Sequence, residues 1–256
     1  MKGISSLIAS VALFLLASSA SGQANTATEQ KVITEARAAY YNLARHGFIG
    51  FQAAIEPDWK VILADTANKE NLKVFRDLRL SMIVDASGAV TVNREFGDTH
   101  PSLKQIHDHV QRLLSSFFGT WAFFMIGSPF PQLQIRVESG QNGYRLSYRV
   151  QSTDVILSLS PDFLITEGQL FDSNAKRTIR PVFQKTAEGF VLLGYHTIFE
   201  PKDQGNKTTI DTIIDYHDVG GMKLPGRIHI KGMYGPEPIE AELKFDQYVL
   251  TSRRNE

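Results

Sequence analysis

The rhythm of hydrophobic and polar residues changes near residue 130 of this 256-residue chain. Before that point apolar side chains recur every three or four positions, as on one face of a helix; after it they alternate, as in a strand with one buried side. In "EQKVITEARAAYYNLARHG" (29–47) Ile33, Ala36, Tyr40 and Leu43 share a face and Gly47 provides a stop, which predicts one helix. A strand over 48–57 ends at Pro57, and residues 58–77 fit two short helices. Residues 78–93 read as a hairpin: Leu78, Leu80, Met82 and Val84 alternate, "DASG" turns, and Val90 and Val92 return.

"HPSLKQIHDHVQRLLSSFFGTWAFFMIG" predicts a long helix over about 102–127, with Leu103, Ile106, Val110, Leu113, Phe117, Trp121 and Phe124 on one stripe. Ser102 is its expected N-cap, and Gly127 with Pro129 its stop. The first half is amphipathic, whereas the second is apolar nearly all round, which a surface helix is not. It is also a poor membrane span: Leu113 to Ile126 falls short of the ~20 apolar residues needed, and Gly119 interrupts it. Left in water, its five crowded aromatics would forfeit on the order of 10 kcal/mol at ~1.5–3 kcal/mol each. The helix is therefore expected to dock.

From Leu133 onward the alternation predicts nine strands, at 133–138, 144–151, 154–159, 163–171, 177–185, 190–199, 207–217, 222–233 and 238–250. Turn-forming stretches such as "SGQNG", "DSNA", "VGG" and "GPEP" separate them. In the last strand Ile239, Ala241, Leu243 and Phe245 face one way and Glu240, Glu242, Lys244 and Asp246 the other. Short connections imply an antiparallel meander, and so long a meander with one apolar face must curl or pack against something. The predicted fold is α+β, mainly antiparallel β: a curved meander sheet forming a half-open barrel, with helices covering the concave face.

The N-terminus changes the picture of where the chain works. Lys2, the apolar run Leu7–Ala17 and the small residues Ala20, Ser21, Gly22 and Ala24 predict a cleavable signal peptide over 1–24, leaving 25–256 as one domain. The chain has no Cys, so lipid attachment at an N-terminal Cys, disulfides and thiolate metal sites are excluded. A periplasmic, unanchored, monomeric protein is expected. Its 27 basic and 27 acidic side chains balance, and losing Lys2 shifts the net charge only to −1, which argues against a nucleic-acid partner.

The layout resembles the LolA/LolB-like periplasmic lipoprotein-carrier family. The likeness is carried by the helix entering a first strand in "ARAAYYNLARHGFIGFQAAIEP", by "TIIDYHDVGGMKLPGRIHI" and by the closing "AELKFDQYVL". The resemblance implies an incomplete barrel with a hydrophobic cavity, closed by helices, that takes up acyl chains or lipidated proteins. Segment 102–127 would then be a lid, longer and more apolar than is usual in that family.

No hydrolase, phosphate-loop or metalloprotease motif occurs, and no enzyme activity, cofactor or metal is expected. His107 and His109 stand two apart on a helix, point in different directions and read as surface histidines. Aligning the strand faces pairs His196 with Asp211 and Asp211 with His229 on the wet side, beside a ladder of Arg227, Lys231, Glu240 and Glu242. The aromatic supply is the stronger signal. Phe117, Phe118, Trp121 and Phe124 on the helix, with Tyr148, Tyr195, Tyr216 and Phe245 on candidate inner faces, are the candidate ligand-binding residues; Phe171 and Phe199 are expected on the same inner side. The set also fits a filled core or a membrane-contacting surface. Two functions follow: a non-catalytic carrier or chaperone for a lipid or lipidated protein, or a sensor with a filled core that meets a membrane-complex protein.

Overall fold

A computed structural model describes residues 26–62, 78–94, 101–203 and 205–251. The expected signal peptide, the second of the two short helices within 58–77, and His100 lie outside the described residues.

Helix α1 (Ala27–Ala38) begins at a capping box, in which Thr26 Oγ1 accepts from the Glu29 amide at 3.3 Å and Glu29 Oε2 accepts from the Thr26 amide at 2.8 Å. The helix stops well before Gly47, where the sequence pattern had carried it. The backbone leaves the helix at Ala39 because it is claimed by a strand: Phe190 N donates to Ala39 O at 2.8 Å and Tyr41 N donates to Phe190 O at 3.2 Å. A single 3-10 turn, Leu43–His46, follows and ends at Gly47 with φ of 78°. Helical propensity yields here to tertiary hydrogen bonding.

Strand β1 (Gly50–Pro57), a one-turn helix α2 (Trp59–Ile62) and the hairpin β2 (Leu80–Asp85) and β3 (Val90–Arg94) precede the long helix α3 (Pro101–Met125). Ser102, the expected cap, is the second residue of α3. No helix among the described residues is long and apolar enough to cross a membrane. All nine later strands are present: β4 (Arg136–Gly140), β5 (Gly143–Val150), β6 (Thr153–Leu159), β7 (Ile165–Phe171), β8 (Ala175–Thr186), β9 (Gly189–Pro201), β10 (Thr208–Val219), β11 (Met222–Tyr234) and β12 (Glu237–Leu250).

These strands form one antiparallel 12-stranded sheet in the order β3-β2-β1-β12-β11-β10-β9-β8-β7-β6-β5-β4, which does not close. The fold is the predicted half-open barrel. Every neighbouring pair is consecutive in sequence except β1 with β12, which joins the two ends of the chain at Ile55 opposite Phe245.

An open sheet has two edges whose unpaired backbone groups invite further strands. Here helices reach both. From α3, the Gln111 side chain imitates a strand residue: its Oε1 accepts from Val92 N at 2.7 Å and its Nε2 donates to Val90 O at 2.9 Å. His107 Nε2 adds a contact to Val92 O at 2.9 Å, so this histidine is partly buried against β3 and not on the open surface as expected. At the other edge, Glu29 of α1 accepts from Val137 N of β4 at 3.4 Å.

The core is one continuous cluster between the inner face of the sheet, α1 and the second half of α3. On the outer face the anticipated charge ladder is present. Glu240 lies 3.1 Å from His229 and 3.0 Å from Lys231, and Arg227 lies 2.5 Å from Asp215. His196 pairs with Asp211 at 2.7 Å as expected, but Asp211 stands opposite Lys231, not His229. The two-residue turn Gly220–Gly221 and a bulge at Asp215/Tyr216 fix that register.

Candidate functional site

The candidate site is the concave face under α3. Phe117, Phe118, Trp121 and Phe124 are all buried, Trp121 with no exposed surface. Phe118 meets Phe51 and Phe245 at ring-centroid distances of 6.0 Å each, and Phe124 meets Phe183 at 5.6 Å. The Trp121 indole donates from Nε1 to the Tyr216 hydroxyl at 3.1 Å and stands edge-on to Phe118 and Phe48. Tyr195 and Tyr148 are buried too, the Tyr148 hydroxyl donating to Pro129 O at 2.8 Å. The eight candidate residues thus lie on the inner side of the fold, where α3 and sheet rings touch directly.

Phe171 does not belong with them. It shares its face with Lys176, whose ammonium lies 5.8 Å from the ring centroid, while its neighbour Leu170 packs on the core. A bulge between Ser158 and Leu159 shifts the parity of β7, which period-two reading from the strand start cannot foresee.

Burial along the inner face is uneven. Near the end closed by Tyr40 and Tyr41 it is complete, as at Leu192, Leu224 and Ile228. Towards the opposite end it relaxes: on β8 buried Ile179 gives way to Arg177, on β9 buried Tyr195 gives way to half-buried Thr197 and Phe199, and on β11 buried Ile230 gives way to half-buried Tyr234. The helix runs the same way. Phe118 and Ala122 pass Gly88 in the β2–β3 turn so closely that a Cβ on Gly88 would meet the Ala122 Cβ at 2.2 Å, whereas His107 reaches Val92 farther along β3. The amphipathic half of α3 therefore lies over the looser end.

Three groups in this region were missed from sequence: Arg177, Thr208 and Arg112. Arg177 is on the inner face with Ile179, and its guanidinium is 3.6 Å from Asp172 with the side chain only 20% exposed. Burial pulls the Arg177 pKa down, with Asp172 opposing. The signal existed, since Arg177 alternates in step with Ile179 and Phe183, both apolar and both packed on the core. Thr208 Oγ1 and Arg112 Nε are buried atoms with no hydrogen-bond partner, as is Asp246 Oδ1. His109, on α3 with Arg112, has its pKa lowered by burial and by that arginine. Among the described residues no cluster of His and carboxylates is suited to a metal ion.

A separate depression of about 890 Å³ lies at the β1, β2, β12 and α2 junction, lined among others by Gln52, Glu56, Trp59, Arg79, Lys244 and Val249. Gln52, Glu56, Lys244 and Val249 belong to the outer face, and the rim carries both signs of charge. It lies across the sheet from the aromatic interface.

The tyrosines make the burial measurable. Tyr195 is pushed up to about 12 by burial, with hydrogen bonds to Thr212 and Thr120 opposing, and burial drives Tyr40, Tyr148, Tyr216 and Tyr248 higher still. An unfolded phenol ionises near ~10. The stabilisation held in the neutral phenols is thus complete below that pH and is lost as pH rises through the folded values. A titration followed by phenolate absorbance and circular dichroism is expected to give cooperative unfolding above pH ~10, with these phenols silent before it. Normal titration of all tyrosines in a still-folded protein would contradict the packing described.

Set against family models, curated proteins and solved structures, the chain matches none.

Proposed function

We propose that this protein is an exported, non-catalytic carrier or chaperone that holds an acyl chain, of a lipid or a lipidated protein, on the concave face of its half-open barrel. The observation behind the reading is the gradient of burial along that face. One end is packed by the aromatic half of α3, while the other leaves Phe199, Ile210 and Tyr234 half-buried on the inner side. A concave, mainly apolar surface with a few polar groups at its rim suits a chain-like hydrophobe. In this reading Phe117, Phe118, Trp121, Phe124, Tyr195, Tyr216 and Phe245 are the floor against which the ligand stops, with Tyr148 on the flank. A ligand reaching deeper would have to displace α3 and replace its burial.

The direct ring contacts beneath α3 favour a second reading, a sensor with a filled core that engages a membrane-complex protein. One experiment separates the two. Purified mature protein is titrated with dansyl-undecanoate, and organic extracts of the protein are analysed by mass spectrometry. The carrier reading expects saturable, blue-shifted dansyl emission at micromolar concentration and coextracted acyl lipid. Neither signal appearing would leave the filled-core sensor as the reading of this fold.

A further inference from the structure

The depression of about 890 Å³ on the outer face, at the junction of β1, β2, β12 and α2, has a volume usual for a small-molecule site. Two local devices shape it. Asp58 N donates to Glu242 O at 2.9 Å while Asp58 Oδ1 accepts from Lys60 N at 3.0 Å, which pins α2 and its partly buried Trp59 over β12. On β12 the step from Asp246 to Val249 spans only Ala54 to Gln52 of β1, a bulge that contains Gln247 with φ of 52°. Counted by twos from Phe245, Gln247 would face the core; the bulge turns it to the outer side, where it lines the depression with Val249. A non-glycine residue in that conformation is strained, and such strain gathers where a side chain has to be aimed.

The charges around the depression depart from the rest of this face. In the adjoining ladder Arg180, His196, Arg227, His229 and Lys231 each have a carboxylate within 3.1 Å. Lys244 is the direct cross-strand partner of Glu56, and Arg79 precedes Leu80, the partner of Ile55, so the three stand side by side across β12, β1 and the start of β2. Among the described residues none of these three side chains makes an ion pair, and neither does Lys60. The other two acids of the rim are engaged, Asp58 at the amides of α2 and Glu242 at 4.0 Å from Arg227. Three unpaired cations thus meet one unpaired acid, and the depression attracts an anion. Trp59, Leu78 and Val249, the last 61% exposed, supply an apolar wall.

We propose that this depression is a second binding site, for a small amphipathic organic anion. The carboxylate or phosphate group of the ligand lies between Lys244 and Arg79, with the Gln247 carboxamide as a further donor. Its apolar body lies against Trp59 and Val249. The site is on the far side of the sheet from the concave face, and it stands or falls independently of the carrier reading. Glu56, between the two cations, weakens the attraction. That gives the site a signature a merely structural charge cluster lacks: neutralising this acid strengthens binding.

The test follows the indole N–H signals of Trp59 and Trp121 by NMR in the isotope-labelled mature protein, with Trp59→Phe to assign them. The probes are naphthoate and naphthyl phosphate, each against its neutral counterpart, naphthamide and naphthol. Naphthoate is expected to shift the Trp59 signal saturably while Trp121 stays in place. Naphthamide is expected to bind about tenfold more weakly, since it forgoes two exposed cations. Arg79→Gln and Lys244→Gln are each expected to weaken naphthoate about two- to fivefold, the scale of an exposed ion pair, and Glu56→Gln to strengthen it by a similar factor. All three replace exposed side chains, so unchanged melting temperatures separate ligand loss from misfolding. A preference for either anion over its neutral counterpart supports the site, and the tighter of the two names its head group. Equal binding of acid and amide overturns it, as does naphthoate affinity unmoved by Arg79→Gln and Lys244→Gln. A shift of Trp121 in place of Trp59 puts the probe on the concave face and overturns the site too, as does the absence of any saturable shift.

Discussion

Trp121→Ala is expected to cost the protein about 3–5 kcal/mol, the range for deleting a large aromatic from a tight core. Trp121 has no exposed surface, and its ring is held edge-on by Phe118 at 5.6 Å and Phe48 at 6.4 Å. Those neighbours sit on α3 itself and on the loop before β1, so the void cannot be closed by a shift of one of them. The change also strips the Tyr216 hydroxyl of the indole donor 3.1 Å away. For a domain of this size each kcal/mol moves the melting temperature by about 2–4 °C, so a fall of roughly 10 °C is expected in a thermal melt, with a matching shift of the urea midpoint. Tyr216→Phe removes only the hydroxyl and is expected to cost about 1 kcal/mol. A Trp121→Ala protein that melts with the wild type would mean that α3 does not dock on the sheet as described.

Gly189→Ala has the second largest expected effect, for a different reason. Gly189 opens β9 with φ of 118°, where a side chain is strained, and an added Cβ would lie 2.6 Å from Tyr41 N, 2.7 Å from Tyr40 C and 2.8 Å from Ala39 O. All three are backbone atoms, so no rotamer can relieve the clash. They belong to the segment that leaves α1 to bond with Phe190, and the clash would prise that segment from the sheet. Backbone strain and overpacking together suggest about 3 kcal/mol. Hydrogen exchange is expected to show lost protection first at the Tyr41 and Phe190 amides. Gly221→Ala is the control: its φ is 79°, but nothing lies within 4 Å of the added carbon, so about 1 kcal/mol of strain is expected alone.

The strands were legible in the sequence because each has one buried side, and alternation such as Leu243, Phe245 against Lys244, Asp246 survives in any register. The long helix was legible for the same kind of reason. What escaped depends on contacts that periodicity does not carry. The first helix ends at Ala38 because Phe190, far along the chain, takes the backbone of Ala39 and Tyr41. Phe171 changed faces because one bulge altered the count in β7. The aromatic half of the candidate site was found by composition, since greasy residues announce themselves. Its polar half was passed over, because Arg177 and Thr208 look like any surface residues until the strands carrying them are placed on the concave side.

The pairing of β1 with β12 has a consequence in time. Most of the sheet can form as successive local hairpins, but β1, β2 and β3 cannot join it until Leu250 has emerged, because Phe51 pairs there and Ile55 at Phe245. Contacts that span nearly the whole chain are slow to form. Through that interval α3 is already made while Phe245, part of its floor, does not yet exist. For as long as the last strand is missing, Phe117, Phe118 and Trp121 are a sticky nascent segment, the kind of surface that aggregates or is shielded by a chaperone. A chain cut short before β12 should therefore fail as a whole, and not merely lose one strand.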